Sequence, residues 1–212
     1  MVNIRYVFGN LRTQEVFDEF SLQGVSMNDK LNSWGTLRGS FGLDQSGKIN
    51  AELVEATVPG KCFIAVERTN ALGATTVIWF GIIWSRSYQS QAKSISITAR
   101  TLPAYAEKRR ISAVTQSYPD TDQGEIFRAL WFQLQGAGVY DPDNIHVSSP
   151  DPFPTVVIKT KTFESDSFKV YLDAMTELSD AEDGFDWRVS TVRGATGQFE
   201  HTLLNGYPTL GN

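Results

Sequence analysis

Short stretches rich in β-branched and aromatic residues follow one another through the first half of this chain, separated by glycine and asparagine. The clearest is KSISITAR at residues 93–100, where Ile95, Ile97 and Ala99 alternate with polar residues. Alternation with a period of two places these side chains on one face of a strand. A series of such strands buries its apolar faces in a sandwich or a barrel, so we predict a mainly β first region.

Further stretches have the composition of strands. They lie at residues 2–8, 15–22, 36–43, 61–69 and 76–88. Gly9 and Asn10 are expected to end the first of them, and NALGAT at residues 70–75 is typical of a hairpin turn. Residues 49–56 are briefly helical in pattern. We expect the most apolar strands to supply the core of this region. For the tryptophans in these strands, a core position is favoured over a contact with a partner. Its members are Trp79, Phe80, Ile82, Trp84, Ile95 and Ile97.

The second region mixes helix and strand patterns. Asp122 and Glu125 form a variant capping box, and apolar residues at helical spacing follow, so we predict a helix over residues 122–136. A second helix is predicted over residues 166–180. Its expected apolar face comprises Phe168, Tyr171, Leu172, Met175 and Leu178. Strands are predicted at residues 155–163 and on both sides of RGATG at residues 193–197.

Charge divides the chain in the same place. Residues 1–112 carry 13 Lys and Arg against 9 Asp and Glu, a net +4, whereas residues 113–212 carry 6 against 15, a net −9, within an overall −5. Turn-forming residues at 117–122 have the composition of a connector, and residues 139–155 hold four of the eight prolines, which favours a loop. We therefore predict a β-rich barrel- or sandwich-like domain at residues 1–112 and a mixed α/β domain at residues 113–212.

Candidate catalytic and metal-binding residues are few. His146 and His201 lack the close spacing of zinc ligands, so loop or surface positions are favoured. Cys62 lies in an apolar strand pattern, where cysteine behaves as a small hydrophobe. Residues 180–186 carry four acids, but counted from Asp180 the fifth position, where a calcium loop needs an oxygen ligand, is Gly184, so a solvated turn is favoured. Asp141 and Asp143 are ordinary turn acids. We expect no enzymatic activity, no metal and no cofactor.

One basic cluster stands out in this acidic chain. Lys108, Arg109 and Arg110 are consecutive, and they fit either a solvated helix end or an interface with an acidic neighbour. Together with Trp34 they are the candidate interface residues. The longest apolar run, residues 77–84, is too short to span a bilayer.

An ordered series of motifs covers most of the first 110 residues. It begins with YVFGNLRTQEVFDEFSLQGVSMNDKLNSWGTLRGSFGL at residues 6–43, continues with VPGKCFIAVERT at 58–69, and ends with VIWFGIIWSRSYQSQAKSISITARTLPAYAEKRR at 77–110. This order resembles the N-terminal part of minor tail proteins of long-tailed bacteriophages, especially those infecting actinobacteria. The resemblance is looser from residue 111 onwards.

The resemblance implies a structural protein of the virion tail tip, assembled in the host cytoplasm and related to the baseplate hub of contractile tails. Such a hub forms a ring, with a trimer favoured, by extending β-sheets between subunits. Its partners would be the tail tube or distal-tail protein, the tape-measure protein and the receptor-binding protein, with DNA only in transit. Family members run longer than 212 residues, so we expect this chain to be the front portion of a larger part.

Three alternatives remain open from the sequence. A distal-tail ring of sixfold symmetry is the nearest of them. The aromatic content of 12% leaves room for a carbohydrate-binding tail module. Dispersed carboxylates leave room for a cell-wall hydrolase.

Overall fold

The computed structural model describes residues 3–42, 51–89, 94–111, 114–136, 146–149 and 153–207. The chain forms two compact units. The first comprises Met1–Asp29, Trp34–Leu102 and Thr191–Glu200, and the second comprises Lys30–Ser33, Pro103–Ser190 and His201–Asn212. The expected boundary between residues 112 and 113 stays a prediction. No helix in the described part of the chain is long and apolar enough to cross a membrane.

The first unit is built on a seven-stranded sheet. Its strands are β1 (Asn3–Asn10), β2 (Val16–Glu19), β3 (Gln23–Met27), β4 (Thr36–Gly42), β5 (Cys62–Thr69), β6 (Thr75–Gln89) and β7 (Ser94–Thr101). Every neighbouring pair is antiparallel, in the order β2-β1-β5-β6-β7-β4-β3. A short helix, α1 (Ala51–Ala56), packs Leu53 and Ala56 into the core of the sheet. The prediction of a mainly β fold followed by a mixed region is confirmed.

The sheet curls strongly. Its two outer strands are consecutive in the chain, and the step from Glu19 to Gln23 spans at most about 14 Å. In a flat sheet, six strand spacings would separate these edges by about 29 Å. Phe8 on β1 and Phe41 on β4 are four strands apart in the sheet order, yet their ring centroids are 5.6 Å apart. The curvature is barrel-like, but β2 and β3 form no ladder with each other in the described residues, so the barrel is not closed.

The concave face of this sheet buries a continuous apolar core. Trp79, Ile95 and Ile97 belong to it, as the alternation in β7 predicts. Phe80 and Ile82 are also buried but lie outside that cluster, whereas Trp84 is half-buried.

Gly9 does not end the first strand. Residues 9 and 10 continue the β1–β5 ladder, with Gly9 opposite Phe63. A Cβ atom at Gly9 would lie 2.3 Å from the carbonyl oxygen of Glu15 and 2.5 Å from the Phe63 ring. The glycine is therefore required by a close approach of backbone and ring within the sheet. The prediction of a break at this position was wrong.

The second unit surrounds an aromatic core. Its helices are α2 (Gln123–Leu134) and α3 (Tyr171–Ser179), and a 3₁₀ helix covers Leu102–Lys108. Its strands are β8 (Gln116–Asp122), β9 (Val147–Ser148) and β10 (Ile158–Phe163), with parts of β11 (Asp186–Arg193) and β12 (Phe199–Gly206). β8 pairs with β10 antiparallel, and β9 pairs with β12 parallel. The ring of Phe127 contacts Phe153, Phe185 and Trp187.

Residues 117–122 form a strand instead of a connector. Pro119 is accommodated because the ladder with β10 shifts register between Lys159 and Lys161. Asp120 there has a positive φ of 41°, and its N–H donates to Thr160 Oγ1 at 3.1 Å. The proline lies at a bulge, where no ladder hydrogen bond is lost.

The second long helix begins five residues later than predicted, at Tyr171. Val170 instead forms an antiparallel bridge with Arg110, and Tyr171 N–H donates to the Arg109 carbonyl at 3.0 Å. Phe168 is 65% exposed with a φ of 48°, so it is absent from the buried face. That face comprises Tyr171, Ala174, Met175, Leu178 and Ser179, and Leu172 is half-buried.

The loop predicted at residues 139–155 contains the two-residue strand β9. Residues 153–155 form no helix or strand, as predicted, whereas residues 139–145 and 150–152 of the predicted loop, with Asp141 and Asp143, lie outside the described part of the chain.

Candidate assembly surfaces

His201 occupies the interior of the second unit. It lies on β12 opposite Val147 and is 4% exposed, so the expectation of a loop or surface position was wrong for this residue. Burial, with a smaller contribution from the charge of His146, lowers the pKa of His201 from 6.5 to about 4. The ring is therefore neutral at physiological pH, and the strand pattern QFEHTLL, which places residue 201 in phase with Phe199 and Leu203, was the signal for its burial.

The acidic residues after α3 form a turn. Asp180 N–H donates to Thr176 O at 2.8 Å and so closes the helix, and Asp183 has a φ of 63°. Asp180, Glu182 and Asp183 are exposed. Asp186 lies within β11, where its Oδ1 accepts from Asn32 Nδ2 at 3.2 Å. Across the described residues, no three His, Cys, Asp or Glu side chains are grouped so as to hold a metal ion.

Cys62 is buried in β5 of the first unit. Its thiol donates to the Glu55 carbonyl at 3.2 Å. Burial raises the pKa of the thiol. The neutral thiol is a poor nucleophile, because reactivity belongs to the thiolate.

Trp34 shares a cation with a second tryptophan. The Arg100 guanidinium lies 4.0 Å from the Trp34 ring centroid and 4.7 Å from that of Trp84. All three side chains are half-buried. One face of each ring is thus covered by arginine, which reduces the surface that either tryptophan can offer to a planar ligand.

The two edges of the first unit's sheet have features that limit indiscriminate pairing. β2 has four residues and exposes Asp18 and Glu19. β3 is bulged against β4 between Gln23 and Ser26, with Gly24 at a φ of 60°. Short, charged or bulged edges are the devices by which natural sheets avoid aggregation. Any partner strand must therefore match a specific edge geometry.

The predicted basic cluster lies on the surface of the second unit. Lys108, Arg109 and Arg110 are all exposed. The Arg109 guanidinium lies 4.7 Å from the Tyr105 ring centroid, and the Arg110 guanidinium lies 5.7 Å from that of Phe168. These five residues constitute what we call the basic–aromatic patch. The two arginines rest on rings, which orders their charge, and Lys108 forms an ion pair with Glu107 at 3.5 Å.

A buried ion cluster in the first unit was missed by sequence reasoning. The Glu67 side chain is fully buried, accepting from Arg193 Nε at 2.7 Å and from Arg5 Nε at 2.9 Å. Arg5 also pairs with Glu19 at 2.8 Å. The signal was a glutamate inside the apolar run CFIAVERT, since a buried carboxylate requires a cation.

The tip of the β11–β12 hairpin covers the sheet beside this cluster. The Phe199 ring packs on Phe63 and Phe80, with centroid distances of 5.1 and 5.2 Å. Arg193 bridges the two interactions, because its guanidinium also lies 4.9 Å from the Phe199 ring. The hairpin tip is therefore fixed to the sheet by both charge and aromatic packing.

Comparison with known proteins gives a likeness of fold. No protein-family profile matches the chain, and no curated protein matches it. A chain in the lidded structure of the Francisella PdpA–VgrG complex superposes with a TM-score of 0.57 at 8% identity, over 96% of this chain and 28% of that chain. The 43 kDa tail protein of prophage MuSo2 from Shewanella oneidensis superposes with a TM-score of 0.50 at 10% identity, over 93% of this chain and 54% of that one.

This chain therefore spans just over a quarter of the first of these solved chains and about half of the second. At 8 and 10% identity the likeness establishes a shared fold. Nearly all of this protein has the fold found in part of a prophage tail protein and in part of a PdpA–VgrG complex chain.

Proposed function

We propose that this protein is a structural component of a phage tail tip, namely a hub ring that joins the tail tube to receptor-binding parts and forms a conduit for the genome. The observation that carries the proposal is the fold shared with the MuSo2 tail protein over 93% of this chain. The ordered motifs of residues 6–110 support it independently. The role proposed is structural and not enzymatic.

The first unit is suited to be the tube-forming part of such a ring. The two edge strands of its curled sheet, β2 and β3, are separated by only a few residues of the chain. Edge strands supply unpaired backbone groups through which one subunit can extend the sheet of the next. We propose a homotrimer, with tail tube or distal-tail protein, tape-measure protein and receptor-binding protein as neighbours.

The test is localisation in the assembled particle. Purified virions of the source phage are analysed by mass spectrometry, and an antibody against this chain is located by electron microscopy. The expected result is peptides of this chain in intact virions and antibody at the tip of the tail. Absence from purified virions, or antibody on the capsid alone, contradicts the proposal.

Symmetry separates the hub from a distal-tail ring. A reconstruction of the tail tip with three copies of this chain in a ring supports the hub, whereas six copies support the distal-tail alternative. In both cases a long tape-measure gene is expected immediately upstream.

A further inference from the structure

We propose that the basic–aromatic patch is a subunit contact, and that its occupant is the acidic turn at residues 180–186 of a second copy of this chain. The inference rests on the proposed ring and names the surface through which neighbouring copies are held. It uses residues of the second unit only.

The patch combines cationic and apolar surface. Lys108, Arg109 and Arg110 carry three positive charges, and Phe168 leaves 65% of its surface in solvent although its ring is apolar. Arginine and aromatic side chains are enriched at the energetic centres of protein interfaces. The composition of this patch therefore fits an acidic protein surface.

Phe168 is held in an unfavourable backbone conformation. Its φ of 48° is in the left-handed region, which a bulky side chain rarely adopts. The pairing of Val170 with Arg110 and the hydrogen bond from Ile111 N–H to the Lys169 carbonyl fix the segment in this position. The fold thus presents the ring beside Arg110 instead of burying it with the apolar face of α3.

The acidic turn offers complementary charge. Asp180, Glu182 and Asp183 expose their carboxylates. Between the patch and the turn, Glu177 on α3 already accepts from both Lys161 and Lys169. Burial raises the pKa of Glu177, but the two lysines outweigh it and the pKa is lowered. Three exposed carboxylates of the second unit are therefore grouped within residues 180–183, at the end of the helix.

The two surfaces lie at opposite ends of α3. The patch is joined to the helix at Val170 and the turn begins at Asp180, ten residues on, which at 1.5 Å per residue is about 15 Å. The helix dipole has the same sense, positive at the patch end and negative at the turn end. The patch and the turn are therefore two different surfaces of one unit. A contact between them is head to tail, and such contacts form a ring where the rotation from one copy to the next closes.

The experiment reverses charge on each side separately. One variant of the full chain carries K108E, R109E and R110E, and another carries D180K, E182K and D183K. Association is measured by sedimentation equilibrium at low and high salt. Each variant alone is expected to raise the self-association Kd at least tenfold. The variant carrying all six changes is expected to restore association, because its charges are complementary again.

Mixing the two three-residue variants gives a sharper readout. In the mixture, the reversed patch of one variant is complementary to the reversed turn of the other, and the native patch is complementary to the native turn. Every contact in a ring is then complementary only if the two variants alternate. A ring with an even number of subunits can alternate in this way, but a trimer cannot. If the native protein is a trimer, we therefore expect the mixed variants to form open complexes and not closed rings. The matched control is R38E, R68E and K61E, exposed cations of the first unit with the same charge change, and it is expected to leave association unchanged.

Phe168→Asn tests the apolar part without risking the fold. Asparagine tolerates a positive φ, so the free energy of unfolding is expected to stay equal or rise while association weakens. A native chain that remains monomeric at low salt and high concentration overturns this inference, as does association that is insensitive to both reversals or lost only on reversal of the patch. None of these results affects the virion localisation that tests the proposed function.

Discussion

At the scale of single residues, Glu67 is a carboxylate whose side chain is fully buried in the first unit. Burying an isolated carboxylate costs several kcal/mol. A nearby cation and well-formed hydrogen bonds must offset this cost. Arg5 and Arg193 provide both, while each keeps roughly a third of its side chain exposed, at 36% and 34%. The arginines therefore lose only part of their hydration. Because the buried Glu67 needs a cation, the stability of the sheet depends on Arg193 of the hairpin.

Replacing Glu67 with glutamine tests this interaction. The volume is retained but the negative charge is lost, so hydrogen bonds to a charged acceptor become neutral ones, and we expect a loss of about 2 kcal/mol in unfolding free energy. Urea denaturation measures it. Glu19→Gln is the matched control, because it removes an exposed carboxylate from the same Arg5 and should cost below about 1 kcal/mol. Equal losses in the two variants contradict the interpretation.

His201 makes stability depend on pH. Its pKa is about 4 in the folded chain and about 6.5 when unfolded, so below pH 6.5 the unfolded state binds a proton that the folded state does not. The contribution of the neutral His201 ring to the free energy of unfolding is fully present above pH 6.5. It falls as the pH drops towards 4, by about 2 kcal/mol between pH 7.5 and pH 5. Urea unfolding at these two pH values measures the loss, and His201→Gln should reduce it.

Ring proton shifts give a direct check of the same group. The chain has two histidines, so His146→Gln leaves one ring to follow by NMR. A titration midpoint close to 6.5 for the remaining ring is incompatible with its burial.

At the scale of elements, the start of α2 joins two distant segments. Asp122 accepts from the Gly124 N–H at 2.8 Å, as an N-cap should, and also from the N–H and hydroxyl of Thr155, both at 3.0 Å. Glu125 does not complete a capping box, because its carboxylate accepts from the Phe153 N–H at 2.6 Å. The acids of the predicted box therefore hold residues 153–155 against the helix.

Asp122→Ala should consequently cost more than loss of a simple cap. We expect about 2–3 kcal/mol, the sum of about 1 kcal/mol for the cap and a similar or larger amount for the bonds from Thr155. The shift of the urea midpoint measures it. Asp173→Ala, an exposed acid in the first turn of α3, should stay within about 0.5 kcal/mol. A loss of under 1 kcal/mol at Asp122 contradicts a role beyond capping.

The sequence predicted those helices and strands in which the buried positions follow the periodic spacing of apolar residues within the element itself. β7 and α2 are of this kind, because alternation and helical spacing are properties of neighbouring residues. β3, with its polar sequence QGVSM, and the late start of α3 depend on partners far along the chain. The same limit applies to the candidate sites. Glu67 and Arg193 are 126 positions apart, and no spacing rule connects them.

At the scale of the whole molecule, the burial of the tryptophans bears on the carbohydrate-binding alternative. Sugar sites stack on exposed aromatic rings, and none of the five tryptophans is fully exposed. Trp79, Trp131 and Trp187 are at most 5% exposed. Trp34 and Trp84 are half-buried and have one face against Arg100.

We therefore expect cell-wall polysaccharides to leave the tryptophan fluorescence of the folded chain unchanged. Acrylamide should quench only the minor part of the emission that comes from Trp34 and Trp84, and all of it after unfolding in urea. Arg100→Met removes the cation shared by these two rings, so it should increase acrylamide quenching without creating a response to glycans. Saturable quenching of the native chain by a polysaccharide would support the carbohydrate-binding alternative, because only a ring open to solvent can stack on a sugar.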